Sequence, residues 1–210
     1  MRVLVLGVSV LAMALPVAAQ TEFSVGSAVQ TTDNMGQDGT QAAFGLSGRK
    51  ALGLFDLSAA VKRSELDKVG TPGGHQWTVS ADLRHWIGPS LFVVVGGHRI
   101  LSDATVWTKK TWWADGGIGL CARYGKTATR RPHRDEFSVR YGGEVATDAE
   151  APNHTQGWAF LWSHDLPLRG SVFLRGTVGT ASRKYLQDGA WRRGSSSSLG
   201  ISFVVRPQDL

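Results

Sequence analysis

A period of two runs through residues 77–87, WTVSADLRHWI. Every second side chain from Trp77 to Leu83 is apolar, and the side chains between them are polar or charged as far as Arg84. Successive side chains of a β-strand point to opposite faces, so this pattern predicts a strand with one apolar and one polar face. No segment after Gln20 keeps a helical period of 3.6 residues, and the sequence therefore predicts an all-β chain.

The same alternation recurs along the rest of the chain and predicts about ten strands, with eight as the alternative. Their expected positions are residues 21–32, 41–49, 53–64, 75–87, 91–102, 111–124, 136–147, 155–164, 168–182 and 195–205.

The connections between these strands alternate in character. Mostly polar segments follow strands one, three, five, seven and nine, whereas tight turns follow strands two, four and eight; residues 126–135 are the exception. Long loops on one rim and short turns on the other predict an antiparallel up-and-down transmembrane β-barrel. Strands of about 9 to 12 residues also suit a bilayer crossing, because strands of soluble proteins average about five or six.

Alternation alone does not say which face meets lipid, and a secreted soluble β-sandwich that binds a ligand stays open as an alternative. Aromatic residues near the expected strand ends favour two interfacial girdles. The long-loop girdle would contain Trp77, Trp112 and Tyr185, and the short-turn girdle Tyr124, Phe137 and Trp162.

The composition is that of one folded domain. The 210 residues are 42% hydrophobic, and the single cysteine, Cys121, excludes an intramolecular disulfide and is expected to be a small buried residue. The 26 glycines lack a collagen-like period, so they indicate turns and close-packed strands.

Residues 1–19 have the pattern of a secretory signal peptide. Arg2 precedes a run of about 13 apolar residues, which is too short for a spanning helix and ends in small residues before Gln20. We therefore expect residues 20–210 to form the barrel domain. Export also makes nucleic acid an improbable partner, although the formal net charge is +6.

The polar faces of the strands predict an ion-pair network in the barrel lumen. We favour a plugged lumen over a weak, porin-like pore, because buried charges persist mainly when they are paired. Glycines of the same rows, among them Gly96, Gly97, Gly117, Gly119, Gly142 and Gly176, would leave room for these side chains. The predicted network comprises Asp56, Lys62, Asp82, Arg84, Asp115, Arg123, Arg140, Glu144 and Arg175.

Residues 198–205, SLGISFVV, resemble the C-terminal assembly signal of Gram-negative outer-membrane proteins. The resemblance rests on Ser198, Gly200, Phe203 and Val205, although Val205 replaces the usual aromatic residue and residues 206–210 extend beyond it. It implies recognition by the barrel assembly machinery. In plan the chain is similar to small OmpA/OmpX-type and omptin-type barrels, which implies a bacterial outer-membrane location among lipids and lipopolysaccharide.

Candidate chemistry is sparse. Ser163-His164-Asp165 has the residue types of a catalytic triad, but adjacent strand residues point to opposite faces. The omptin resemblance implies acidic pairs and a histidine at the long-loop rim. Residues for such a rim site are Asp148, Glu150 and His154 in one loop, with His75, His98 and Asp103 nearby.

The six histidines show no zinc-ligand spacing, so no metal and no cofactor are expected. The leading hypothesis is therefore a non-enzymatic outer-membrane barrel with a structural or surface-loop role. An outer-membrane hydrolase with a rim site, resembling a protease or a lipid hydrolase, is the alternative, and the ligand stays unknown.

Basic residues cluster at two places. Lys126, Arg130, Arg131, His133 and Arg134 fall in the long connection at the short-turn rim. The pairs at residues 109–110 and 192–193 fall on the outer side, where contact with anionic lipopolysaccharide is possible.

Overall fold

The structure, a computed structural model, shows ten antiparallel strands joined in chain order and closed into a barrel by pairing of the first strand with the last. The prediction of a ten-stranded up-and-down barrel is confirmed, and the two-sheet sandwich is wrong. The residues that the structure describes are 21–34, 37–68, 71–104, 107–125, 132–148, 155–187 and 189–207. The predicted signal peptide lies outside them.

The strand bounds differ from the expected ones mainly by being wider. The strands are β1 Thr21–Asn34, β2 Gln37–Leu52, β3 Phe55–Lys68, β4 Thr71–Trp86, β5 Leu91–Ala104, β6 Trp107–Tyr124, β7 His133–Thr147, β8 Gln156–Pro167, β9 Val172–Gln187 and β10 Ala190–Val205.

Paired residues define the stagger of the barrel. A path that starts at Glu22 and follows the partners through all ten strands returns to β1 at Asn34, which is a stagger of 12 residues. A closed sheet with such a stagger has strands tilted against the barrel axis, usually by about 35–45°. Inward side chains at one height therefore come from positions that shift steadily from strand to strand.

Two ends of the barrel are named here by their connections. The terminal end is where β1 begins and β10 ends, and it also carries the β2–β3, β4–β5, β6–β7 and β8–β9 connections. The distal end carries the other connections. The expected long distal loops are wrong for four of these five connections, because only two residues separate β1 from β2, β3 from β4, β5 from β6 and β9 from β10.

The physical reason is that a strand outside a bilayer needs no apolar face. Residues 37–40, 65–68 and 71–74 are mostly polar or glycine, yet they continue the ladders of β2, β3 and β4. The strands have 12 to 18 residues, more than the roughly 9–11 needed to cross a bilayer. The excess forms a polar extension of the barrel at the distal end.

The outer face is apolar and the inner face is polar. Among the described residues, 33 large hydrophobic side chains are exposed whereas six hydrophobic residues are buried. On β1, for example, Phe23, Val25 and Val29 are exposed, and Ser24, Gly26 and Ala28 between them are half-buried. This distribution is the reverse of a soluble barrel and is that of a barrel surrounded by lipid. No helix in the described part of the chain could span a bilayer.

Three expected orientations are wrong. Gly97 and Gly176 have the outward parity of their strands, and Tyr185 has the inward parity of β9, so it does not belong to the outer girdle. Gly97 follows Gly96, and Gly176 follows Arg175; adjacent strand residues point to opposite faces, so neither glycine can share the inward face of its neighbour.

Candidate functional site

A layer of charged side chains crosses the barrel interior at the terminal end, and we call it the terminal ion-pair layer. It contains four carboxylates and five guanidinium groups from seven strands and the residue after β10. Its members are Glu22, Arg49, Asp56, Arg84, Arg134, Glu136, Asp165, Arg175 and Arg206.

Glu136 on β7 connects opposite walls. Arg84 Nη2 on β4 donates to its Oε1 at 2.6 Å, and Arg134 Nη2 donates to its Oε2 at 2.6 Å. Arg49 Nη1 on β2 also reaches Oε2, at 3.4 Å. Three guanidinium groups therefore surround one carboxylate, which leaves none of its charge unpaired.

Arg49 extends the layer to β3. Its Nε donates to Asp56 Oδ2 at 3.0 Å and its Nη2 contacts the same oxygen. Trp86 Nε1 on β4 donates to that oxygen at 2.9 Å. Asp56 is buried and is held from two neighbouring strands.

Asp165 and Glu22 form the other half of the layer. Arg175 donates from Nε and Nη2 to the two oxygens of Asp165 at 2.6 and 2.9 Å, and its Nη1 lies 2.8 Å from Glu22 Oε1. Arg206 donates from Nε to Glu22 Oε2 at 3.0 Å and contacts Asp165. Arg134 Nη1, 3.7 Å from Glu22 Oε2, joins the two halves.

Apolar side chains pack beside these charges at the same end of the barrel. Four of them are at most 3% exposed: Phe92, Cys121, Phe173 and Val204. The first two lie on β5 and β6, which contribute no charged side chain to the layer, and the other two each lie two residues before one of its arginines. The Arg84 guanidinium lies 4.0 Å from the Phe92 ring centre, and that of Arg206 lies 4.2 Å from the ring centre of Phe173. A single-layered barrel buries residues only where other side chains cover them inside, so this burial shows that inward side chains pack together at the terminal end.

A second group, the central ion-pair cluster, lies nearer the distal end on β4–β7. Arg140 donates from Nη1 and Nη2 to the two Asp82 oxygens at 2.9 and 3.0 Å, and from Nη1 to Asp115 Oδ1 at 3.1 Å. His98 Nε2 lies 2.7 Å from Asp115 Oδ2. Gly96, opposite Asp82, has no side chain to occupy the place of that carboxylate.

The opposite wall of the lumen carries small side chains and borders a cavity of about 190 Å³. The inward residues there are mainly serine, glycine and alanine of β1, β2 and β10, and Ser24 and Ser47 share a hydrogen bond of 2.6 Å. Lys62 is the charged side chain of this lining, and its Nζ donates to Gln30 Oε1 at 3.3 Å.

The structure distributes the nine predicted lumen residues over several places. Asp56, Arg84 and Arg175 belong to the terminal ion-pair layer, and Asp82, Asp115 and Arg140 to the central cluster. Lys62 and Glu144 have inward parity nearer the distal end. Arg123 is exposed at the terminal end, where its register partner is Arg134.

Six members of the terminal ion-pair layer were not predicted. Glu22, Arg49 and Glu136 lie at strand ends, where the alternation has few apolar residues to establish a parity. Arg206 lies beyond the last strand. Continuing the inward–outward alternation of each strand to its ends would have placed Glu22, Arg49 and Glu136 on the inner face. It would not have shown which of these charges contact each other.

Arg134 and His133 correct the expected basic connection. Both residues belong to β7, and Arg134 is buried in the terminal ion-pair layer. The His133 ring stacks on Tyr124 and His164, with ring centres 5.5 Å apart in each case. Lys126, Arg130 and Arg131 lie outside the described residues.

Ser163-His164-Asp165 does not converge. Asp165 points into the barrel, whereas His164 belongs to the outer face, where its Nδ1 lies 2.9 Å from Asp135 Oδ1. Of the rim residues, Glu150 and His154 lie outside the described residues, and Asp148 contacts Lys110. Among the described side chains of that set, His98 contacts a carboxylate, that of Asp115. Among the described residues, no three histidine, cysteine or carboxylate side chains could hold a metal ion.

The motif that resembles an assembly signal has residues on both faces of β10. Ser198 and Gly200 have the inward parity, whereas Phe203 and Val205 point outward and pair with Val25 and Phe23 on β1. The motif therefore lies along the seam that closes the barrel.

Comparison with known proteins gave structural matches alone: no family model and no curated protein matches the sequence. Neisserial surface protein A is 10% identical with a TM-score of 0.44, over 89% of this chain and 96% of that chain. The translocator domain of the autotransporter NalP from Neisseria meningitidis is 11% identical with a TM-score of 0.44, over 98% and 95%. OprG, an outer membrane protein of Pseudomonas aeruginosa, is 8% identical with a TM-score of 0.33, over 90% and 97%.

The chain has the architecture of a bacterial outer-membrane β-barrel. The observations that decide this are its own: a closed antiparallel sheet, an apolar outer face and a charged interior. The similar structures have low identities, so the similarity concerns the fold and does not identify a substrate or a partner.

Proposed function

We propose that the protein is an integral barrel of the Gram-negative outer membrane that does not conduct ions and acts as a structural or interaction element of the cell surface. Its first 19 residues would be the export signal, and residues 20–210 the barrel. Its surroundings would be outer-membrane lipids and lipopolysaccharide, and the barrel assembly machinery would insert it through the motif on β10.

The terminal ion-pair layer carries the proposal. Its charges are cross-linked between opposite walls, and its gaps are filled by Phe92 and Phe173. Removing one partner from such a buried network leaves an uncompensated charge, so the layer should not open spontaneously. In an outer membrane the terminal end faces the periplasm, and the lumen would be accessible from the cell surface through the distal end.

Conductance across planar lipid bilayers tests this function. We expect the refolded barrel to give no current steps. The triple variant Arg84→Ala, Arg134→Ala, Glu136→Ala removes adjacent members of the layer and should open a pathway. A matched control, Asp82→Ala with Arg140→Ala, removes an ion pair from the central cluster and should stay silent.

Regular current steps from the unaltered barrel would contradict the proposal and favour the weak pore. Silence of the triple variant, with its folded state established by heat-modifiable gel mobility, would show that this layer is not the barrier. Conduction by the control alone would assign the barrier to the central cluster.

The contact between His98 and Asp115 favours one second candidate, an outer-membrane hydrolase. A carboxylate that orients a histidine is the arrangement used to activate a nucleophile or a water molecule. Turnover of a fluorogenic ester or peptide by the pure barrel, lost in His98→Ala, would support it; activity that survives this substitution would not come from this pair.

A further inference from the structure

The outer face carries two arginines at the distal boundary of its apolar surface. On β3 the outward residues Phe55, Leu57 and Val61 are apolar, and Arg63 and Glu65 follow them. On β5 the outward sequence is Leu91, Val93, Val95, Gly97 and then Arg99. A guanidinium at this level stands where the hydrocarbon of a bilayer gives way to lipid headgroups.

Both guanidinium groups lie over indole rings. The Arg63 guanidinium is 5.9 Å from the centre of the Trp77 ring, and that of Arg99 is 5.1 Å from the centre of the Trp112 ring. Trp77 and Trp112 are their register partners on β4 and β6. An indole face that supports a guanidinium restricts its orientation and leaves its edge available to an anion.

The hydrogen-bonding capacity of the two arginines is not used up. Arg99 Nε is inaccessible to solvent and has no hydrogen-bond partner among the described residues. Arg63 is half exposed, and Glu65 Oε1 lies 3.6 Å from its Nη2, which is longer than a hydrogen bond. Because Arg99 Nε is enclosed by the protein, a ligand would accept from the Nη groups of the two guanidiniums.

The other side of the barrel differs at the corresponding level. The outward residues of β9, β10 and β1 there are hydroxyl-bearing, namely Thr180, Ser182, Ser195, Ser197 and Thr31. Among the described outward residues, positive charge at this level therefore lies in one sector, β3–β6, and Lys184 and Arg193 lie further toward the distal end.

We propose that Arg63 and Arg99, supported by Trp77 and Trp112, bind the phosphate groups of an anionic lipid of the outer leaflet, of the lipid A type. Arginine suits this role because its planar fork of donors matches phosphate oxygens, and the partly desolvated setting strengthens such charge-assisted bonds. The site rests on the proposed outer-membrane location and names the lipid partner of that barrel.

Binding of purified lipid A to the detergent-solubilised barrel, measured by native mass spectrometry, tests the site. The double variant Arg63→Gln, Arg99→Gln should bind about tenfold more weakly. The matched control Lys184→Gln, Arg193→Gln removes the same charge from two exposed outward residues that pair on β9 and β10, and it should bind as the unaltered barrel does. Glu65→Gln should bind severalfold more tightly, because it removes the negative charge beside Arg63.

Enzymatically dephosphorylated lipid A and inorganic phosphate identify the source of the anion. Dephosphorylated lipid A should bind as weakly to the unaltered barrel as lipid A binds to the double variant, and inorganic phosphate at millimolar concentration should not compete. Equal losses in the two double variants, or equal binding of dephosphorylated lipid A, would overturn the site. Lipid binding and bilayer conductance are independent measurements. The lipid site can therefore be disproved while the proposed non-conducting barrel stands, and the reverse also holds.

Discussion

Asp165 shows at the residue scale how an exported barrel keeps charges inside. It has no exposed surface, yet its two oxygens receive donors from Arg175 and Arg206. The two arginines also contact Glu22, so charge is balanced across four side chains rather than one pair. Removing one member of such a buried network lowers stability strongly, whereas replacing the whole network by apolar side chains of similar volume changes stability little.

Asp165→Asn should lower the free energy of unfolding by about 3–5 kcal/mol, because it leaves two buried guanidinium groups with Glu22 alone. Asp148→Asn is the control: it changes the same chemistry at an exposed site, where Asp148 accepts from the Lys110 amide at 2.6 Å. Urea unfolding in detergent, followed by tryptophan fluorescence, measures both. Equal losses of unfolding free energy in the two variants would mean that burial in the terminal ion-pair layer does not make Asp165 more important for stability than an exposed aspartate.

Two strand glycines, Gly119 and Gly176, differ in the space around them, so their substitution distinguishes the effect of packing from that of strand propensity. A side chain at Gly119 would overlap the Phe92 ring and the Phe137 carbonyl, whereas one at Gly176 would meet nothing within 4 Å. Gly119→Val should therefore destabilise the barrel by about 1–3 kcal/mol, and Gly176→Val, which points outward, should be neutral or stabilising. Thermal unfolding monitored by heat-modifiable gel mobility distinguishes them; a larger loss for Gly176→Val would contradict the assignment of faces.

At the element scale β10 has two roles, and they use different faces. Its outward Phe203 faces lipid between Val25 on β1 and Leu174 on β9, while its inward Val204 is buried against the terminal layer. Arg206 then continues into that layer. The last strand thus closes the sheet and ends beside the terminal ion-pair layer.

Phe203→Ser should reduce the folded protein in the membrane severalfold, since it alters a position of the motif that resembles the assembly signal. Phe44→Ser is a matched control, because Phe44 on β2 is also outward and each ring is 55% exposed. The folded fraction in isolated membranes, read from gel mobility with and without heating, measures both. Equal losses of folded protein in the two variants would show that the effect comes from the lost lipid contact and not from the position of Phe203 in the β10 motif.

On the scale of the whole molecule the apolar outer face and the polar distal extension act together. A barrel that exposes 33 large hydrophobic side chains among its described residues cannot remain dispersed in water. Its polar distal extension, in contrast, needs an aqueous surrounding. The two requirements orient the barrel across a bilayer with its distal end outside the hydrocarbon.

Cell fractionation checks the location of the barrel, and cysteine labelling checks its orientation. We expect the protein in the outer-membrane fraction, resistant to extraction by carbonate and released by detergent, because its apolar surface is buried in lipid. A cysteine at an exposed distal position, such as Arg193→Cys in a Cys121→Ser background, should react with an impermeant maleimide on intact cells. Recovery in the soluble periplasm, or labelling only after the outer membrane is opened, would be inconsistent with this placement.

The sequence predicted much of the fold, because strand alternation is a local property. The parity of β4 follows from residues 77–84, and the ten strands follow from repeating that reading. The distal loops were misjudged for a related reason: polar, glycine-rich residues such as 71–74 carry no apolar alternation, and only pairing with β3 shows that they are strand.

What the sequence determined by itself is which side chains share a face, since successive residues of a strand must alternate. It placed Asp82, Asp115 and Arg140 on one face before any pairing was known. Tertiary structure decided which of the inward charges meet. Glu22 and Arg206 are at opposite ends of the chain, and Glu136 faces Arg84 across the lumen, because closure and a stagger of 12 residues bring distant positions to one height.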